Sequence, residues 1–211
     1  FPDVEQCVVI SQSSTDGGET WTEDEGFRYD LNEYDECWMG VWTYFVDQEG
    51  GVALIFNNDF EVNREEVIFV RRIYSEPGDN GMNFTSTHEN LLDVEHADGQ
   101  QMSFADPTAI VLPDGRVRLI VMHQERGAGA PPHARTGTLY SFISEDGVEF
   151  EFENEIVDWS DFEEFEVRSL NDPAIVRFDD GTYYIYVAAM IPDEDNEESP
   201  YKYVLLSVSS S

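Results

Sequence analysis

Apolar residues along this chain fall in short runs that alternate with turn-forming clusters. Runs rich in Val, Ile, Tyr and Phe, such as Val52-Ala53-Leu54-Ile55-Phe56 and Tyr183-Tyr184-Ile185-Tyr186-Val187, recur at short intervals, bounded by Asp-Gly, Pro-Asp-Gly, Gly-Gly and Asn-Gly pairs. This punctuation predicts β-strands joined by tight turns. No segment carries the apolar period of a helix, so the expectation is an all-β chain.

The strands repeat. Asp106-Pro107-Thr108-Ala109-Ile110-Val111-Leu112-Pro113-Asp114-Gly115 aligns without a gap to Asp172-Pro173-Ala174-Ile175-Val176-Arg177-Phe178-Asp179-Asp180-Gly181, sharing the Asp-Pro opening and the Asp-Gly turn. A second strand follows each, Arg116 to Val121 and Thr182 to Val187, so each unit opens with a hairpin turned at Asp-Gly. A weaker copy runs from Gly40 to Phe56, with Gly50 placed one repeat before Gly115. Later in each unit a strand runs into a turn of one kind, at Ser14-Thr15-Asp16-Gly17-Gly18-Glu19-Thr20-Trp21, at Asp79 to Phe84 and at Ser144 to Phe150. The physical logic is local: Asp accepts turn N–H groups, glycine takes the positive φ, and the aromatic ring packs back on the hairpin. A period of about 65 residues with four strands per unit predicts a β-propeller of four-stranded antiparallel blades, about three to four of them present. The reading is a single β-propeller domain or fragment over 1–211, with blades near 1–35 (partial), 36–100, 101–166 and 167–211 (partial).

These motifs resemble a family group, the sialidase-type Asp-box propellers and the five-bladed glycoside hydrolase propellers whose inner strands open with Asp-Pro. Ser14 to Trp21 fits the full Ser-x-Asp-x-Gly-x-Thr-Trp pattern, and the turns at Asp79 and Asp146 are degenerate copies. The resemblance implies an architecture rather than an activity, because Asp boxes also occur in sorting receptors, assembly factors and lectins.

Composition narrows the partners. With 45 acidic against 11 basic side chains, and Lys202 the only lysine, the formal charge is −34. A field of that sign repels nucleic acid and anionic membrane surfaces, so neither is expected as a partner. The excess charge is expected to form a solvated, halophile-like surface. The alternative is a set of divalent cation sites, for which Asp193-Glu194-Asp195-Asn196-Glu197-Glu198 has the right oxygen chemistry but not an EF-hand pattern. No metal centre or organic cofactor is expected, with structural calcium left open. Apolar runs are too short to cross a bilayer as helices. The compartment stays open, a secreted or periplasmic one slightly favoured. Cys7 and Cys37, the only cysteines, either pair or stay as two buried thiols beside strand sequence.

In a propeller the innermost strand of each blade begins at the central funnel, which singles out Asp106 and Asp172. In the resembling hydrolases, acids at this position serve as base, nucleophile or pKa-setting partner, and a glutamate from another blade protonates the leaving oxygen. Glu166, just ahead of an inner strand, is the candidate acid, with Glu163 and Glu164 as rivals. Asp-Pro also opens strands for purely structural reasons, since Pro fixes φ and Asp caps a turn. Glu36-Cys37 is similar to the Glu-Cys element of fructan-cleaving propellers, in a different order along the chain. The Arg-Ile-Pro signature of sialidases is missing, so sialidase activity is not expected. Arg126, Arg168, His123 and Trp38 are candidates for sugar binding, Trp42 and Trp159 for stacking, and Gly127 to Gly137 for a rim loop. The sequence therefore points to a carbohydrate-active propeller whose funnel carboxylates hydrolyse glycosidic bonds. The alternatives are a non-catalytic Asp-box propeller binding glycans or proteins, and a scaffold segment with no site.

Overall fold

The computed structural model of the protein describes residues 7–31, 40–62, 65–86, 89–95, 102–123, 137–193 and 200–210. An N-terminal hairpin is broken into short pairs: β1 (Val8–Val9) with β4 (Tyr29–Asp30), and β2 (Gln12–Ser13) with β3 (Thr22–Glu23). Three meandering antiparallel sheets follow. The first orders β5 (Trp42–Val46), β6 (Val52–Val62), β7 (Glu65–Ser75) and β8 (Thr85–Ser86). The second orders β9 (Phe104–Val111), β10 (Val117–His123), β11 (Thr138–Ser144) and β12 (Glu151–Val157). The third has β13 (Ser169–Arg177), β14 (Tyr183–Pro192) and β15 (Tyr201–Ser209), three strands among the described residues. These sheets are here called the second, third and fourth blades, after the N-terminal hairpin.

The blades pack face to face because alternate residues of each middle strand serve opposite neighbours. Along β10, Val117, Leu119 and Val121 join Phe45, Ala53, Ile55 and Val70 of the second blade. Ile120 and Met122 join Leu170, Ile185, Val187 and Ala189 of the fourth. Leu119, Ile120 and Val121 are all fully buried, which explains why the strand reads as a continuous apolar run. Each such side chain contributes roughly 1.5–3 kcal/mol of burial. Tyr29 and Leu31 seat the N-terminal hairpin on Phe56 and Ile73.

The innermost strands β5, β9 and β13 are laced by threonines one repeat apart. Thr43 Oγ1 accepts the Ala109 N–H at 3.0 Å, and Thr108 Oγ1 accepts the Ile175 N–H at 3.2 Å. At the opposite rim the Asp box closes as its pattern dictates. Asp16 accepts the Thr20 N–H at 3.0 Å and the Thr20 hydroxyl at 2.6 Å, and Ser14 Oγ accepts the Gly18 N–H at 2.9 Å. The Thr20 hydroxyl, the Thr20 N–H and the Ser14 hydroxyl hold the Asp16 carboxyl far below the usual carboxylate range. Trp21 folds onto Gly18 O through its indole N–H at 3.1 Å but stays 62% exposed.

Two expectations need correction. Residues Trp159–Phe165 form a 3-10 helix, capped by Asp158 and Asp161 in a reciprocal capping box, where the sequence suggested no helix at all. Its signal was polar, Asp-x-x-Asp, rather than an apolar period. Cys7 is disulfide-bonded, which overturns the reading of two thiols; Cys37, the other cysteine of the sequence, lies outside the described residues.

Candidate funnel site

Register brings the site elements to one end of the blades. His123, the last residue of β10, stands opposite Phe104 at the start of β9 and Thr138 at the start of β11. Ser169, which opens β13, stands opposite Met190 near the end of β14. Asp106, Asp172, His123, Gly137, Glu166 and Arg168 therefore lie toward this end of the sheets.

Asp106 and Asp172 depart from ordinary strand geometry in the same way. Their φ angles are +51° and +48°, and each sits at a break in register, between Ile120 and Met122 on one side and between Asn171 and Ala174 on the other. A left-handed conformation is costly for a residue with a Cβ, and costlier before proline, which pushes its predecessor toward extended backbone. The resulting bulges re-aim the side chains out of the strand alternation. The two residues then meet: Asp106 Oδ2 accepts the Asp172 N–H at 3.2 Å. Asp106 is half-buried and Asp172 is exposed.

Glu166 is the C-cap of the 3-10 helix, with φ +52° and its N–H on Glu163 O at 3.0 Å, and its side chain is exposed. Farther along the link, Arg168 anchors its main chain to Met190 O at 2.8 Å. Its Nε is buried without a hydrogen-bond partner. His123 is only 8% exposed, with its ring against those of Phe104, at 5.9 Å, and Tyr140, at 5.7 Å, which also touch each other. Its setting is that of an aromatic cluster member. Trp42 packs on Phe56 at 4.9 Å with the rings tilted, and Trp159 packs on the core between the third and fourth blades. Trp38, Arg126, Glu36 and residues 127–136 of the expected rim loop lie outside the described residues, as do Glu194 to Glu198 of the acidic run. Asp193 of that run pairs with Lys202 at 3.3 Å.

Gly137 was not singled out from the sequence except as the end of the rim loop. It holds φ +97°, and a Cβ there would press on the Leu170 backbone, 2.7 Å from its N. Gly137 thus lies against β13, just ahead of Asp172. The lacing threonines were equally missed, although Thr43 and Thr108 occupy one repeat position in the sequence.

The sequence matches no family model and no curated protein. In structure it is similar to the family-93 α-L-arabinofuranosidase of Fusarium graminearum, with a TM-score of 0.61 and 14% identity over 95% of this chain and 54% of that one. It is similar to an N-acetylgalactosamine deacetylase from F. plautii solved with blood group B trisaccharide, at a TM-score of 0.58 and 18% identity over 80% of this chain and 49% of that one. A Hadza microbial sialidase matches at a TM-score of 0.59 and 14% identity, over 82% of this chain and 38% of that one. The chain spans about half the length of the first structures it matches. These likenesses establish the β-propeller fold.

Proposed function

From a β-propeller fold shared with glycoside hydrolases and a sialidase, we propose that this chain carries part of a carbohydrate-active funnel that hydrolyses glycosidic bonds. The observation that carries the reading is the pair of left-handed Asp-Pro bulges on neighbouring inner strands. A strand needs no such conformation, and each instance costs on the order of 1–3 kcal/mol. Two repeats that keep it, with the carboxylate of one on the N–H of the other, support a geometry kept for where it aims the acids. Glycoside hydrolysis needs one carboxyl protonated to release the leaving oxygen and another ionised across the bond. Asp172, the more exposed, is the group that faces the sugar. Asp106 is its partner, with Oδ2 accepting the Asp172 N–H. Glu166, on the short link into β13, is the proton donor. Arg168, His123, Arg126 and Trp38 remain the proposed sugar-binding group.

Acting on carbohydrate is also what the neighbours' names describe, and that supports a glycan as the ligand. The second reading, a propeller that binds glycans without cleaving them, rests on the same funnel with Asp106 serving only to clamp its neighbour. A panel of aryl glycosides and polysaccharides, read for both binding and product release, separates the two. Release of sugar by the chain supports the hydrolase; saturable binding without release supports the binding module. A panel with neither overturns both.

A further inference from the structure

Among the Asp-box turns, the one from Asp79 to Phe84 leaves its closing side chain untied, and that side chain is an asparagine. In the full box Asp16 accepts both the N–H and the hydroxyl of Thr20, which binds that residue into the turn. Counted back from the aromatic ends, Trp21 and Phe84, Asn83 stands in the place of Thr20. Asp79 holds its turn through the main chain instead: its N–H donates to Glu76 O at 3.1 Å, and its carbonyl accepts the Met82 N–H at 3.0 Å. The Asn83 carboxamide is left exposed, with no hydrogen-bond partner among the described residues.

The two residues that follow are fixed. The Phe84 N–H donates to Arg28 O at 3.1 Å, and the Phe84 side chain packs on the core under the N-terminal hairpin. Thr85 opens β8 opposite Tyr74, with its hydroxyl donating to Tyr74 O at 3.4 Å. Across the sheet this row reads Phe45, Ala53, Tyr74, Thr85, so it crosses the inner strand β5 at the end away from the funnel. A bulky group on Asn83 therefore projects from the rim opposite the funnel and leaves the funnel open.

Asn83-Phe84-Thr85 is also the one place in the sequence where an asparagine is followed two residues on by threonine or serine, with no proline between. That tripeptide is the acceptor pattern of N-linked glycosylation, in which the carboxamide is the nucleophile and the hydroxyl is recognised by the transferase. Cys7 is an independent pointer, because it is disulfide-bonded, and such bonds form and persist in the oxidising compartments that exported proteins enter. We propose that Asn83 is an N-glycosylation site. In the transfer, the carboxamide nitrogen bonds to the anomeric carbon of an oligosaccharide carried on a polyprenyl phosphate. The bond from that carbon to the phosphate oxygen breaks, the lipid phosphate leaves with the electron pair, and the nitrogen gives up one proton. Phe84 and Thr85 are held in the folded blade, so the transfer precedes the closing of β8 on β7. The site lies apart from the funnel and does not rest on reading the funnel as a hydrolase.

The test secretes the full chain from a eukaryotic host, cleaves the product with a peptide N-glycosidase in heavy-oxygen water, and weighs the peptide that spans Asn83. Most of the secreted chain is expected to carry one glycan there. Asn83→Gln and Thr85→Ala are each expected to abolish it, and Thr85→Ser to keep it. Because the Asn83 side chain is exposed and untied, the glycosylated chain is expected to melt at the same temperature as the Asn83→Gln variant. A secreted chain bare at Asn83 overturns the proposal, as does a glycan that lowers the melting temperature, since the blade is then not built to carry one. Should secretion fail, the reduced and unfolded chain is offered to isolated microsomes that hold the transferase, and an unmodified Asn83 there overturns the proposal as well.

Discussion

Gly137 and Gly181 both hold positive φ, at +97° and +89°, but only one of them is crowded. A Cβ at Gly181 would meet nothing within 4 Å, whereas at Gly137 it would press on the Leu170 backbone. Gly181→Ala is expected to carry only the left-handed penalty, roughly 1–2 kcal/mol. Gly137→Ala adds an overpacking term of roughly 1–3 kcal/mol, because the obstacle is main chain in β13 and cannot rotate away. For a chain of this size each kcal/mol moves the melting temperature by about 2–4 °C, so the Gly137 variant is expected to melt ~2–12 °C below the Gly181 variant. Urea unfolding with an unchanged slope confirms that the native state is what lost stability. Equal losses in the two variants would refute the claim that Gly137 is packed on the main chain of β13.

Three further outcomes follow from the electrostatics. Tyr74 donates to Asp47 Oδ2 at 2.5 Å, and that bond, followed by burial and the Asp47 charge, pushes its phenol up to about 12. The linked stability is fully present below about pH 10 and lost as pH rises through 12, so Tyr74→Phe is expected to flatten unfolding free energy over that window, by on the order of 1 kcal/mol, measured against denaturant. Burial alone would raise the Glu153 carboxyl, but hydrogen bonds from Arg118, both at 3.1 Å, and Ser141, at 2.7 Å, outweigh it and leave it lowered. Its contribution is present above about pH 4.5 and lost as pH falls through the lowered value, so Glu153→Gln is expected to cost ~1–3 kcal/mol at pH 7 and progressively less in acid. Finally, with a formal charge of −34, thermal stability should climb steeply from low salt into molar KCl; a flat response with a large calcium-induced rise would assign the acidic groups to cation sites instead.

The blades were legible in the sequence because a propeller repeats its local chemistry, and a repeat needs no tertiary knowledge to be seen. Asp-Gly turns, apolar runs and the shared repeat position of Asp106 and Asp172 all reappear as hairpins and neighbouring strands. What stayed hidden depends on pairs of blades. Local rules put the residue before a proline in extended backbone, and Asp106 and Asp172 do the opposite, held there by bulges that only the neighbouring strands enforce. The Asp106 clamp on Asp172 reaches across a whole repeat and leaves no trace in either segment alone. His123 sits at the strand end its sequence suggested, yet it is buried against Phe104 and Tyr140, and nothing in Val121-Met122-His123 announces those rings. The 3-10 helix escaped because its caps are polar and it buries no residue fully.

The central claim is that the strained Asp-Pro bulges aim acids at a sugar, and Asp172→Asn tests it most directly. This substitution keeps the size of the exposed side chain and leaves the backbone N–H that Asp106 accepts, so the melting temperature should be essentially unchanged. On a glycan the chain hydrolyses, turnover is expected to fall ~100-fold or more, the scale on which a positioned acid or base contributes. Turnover equal to that of the unaltered chain, at an unchanged melting temperature, would contradict the account.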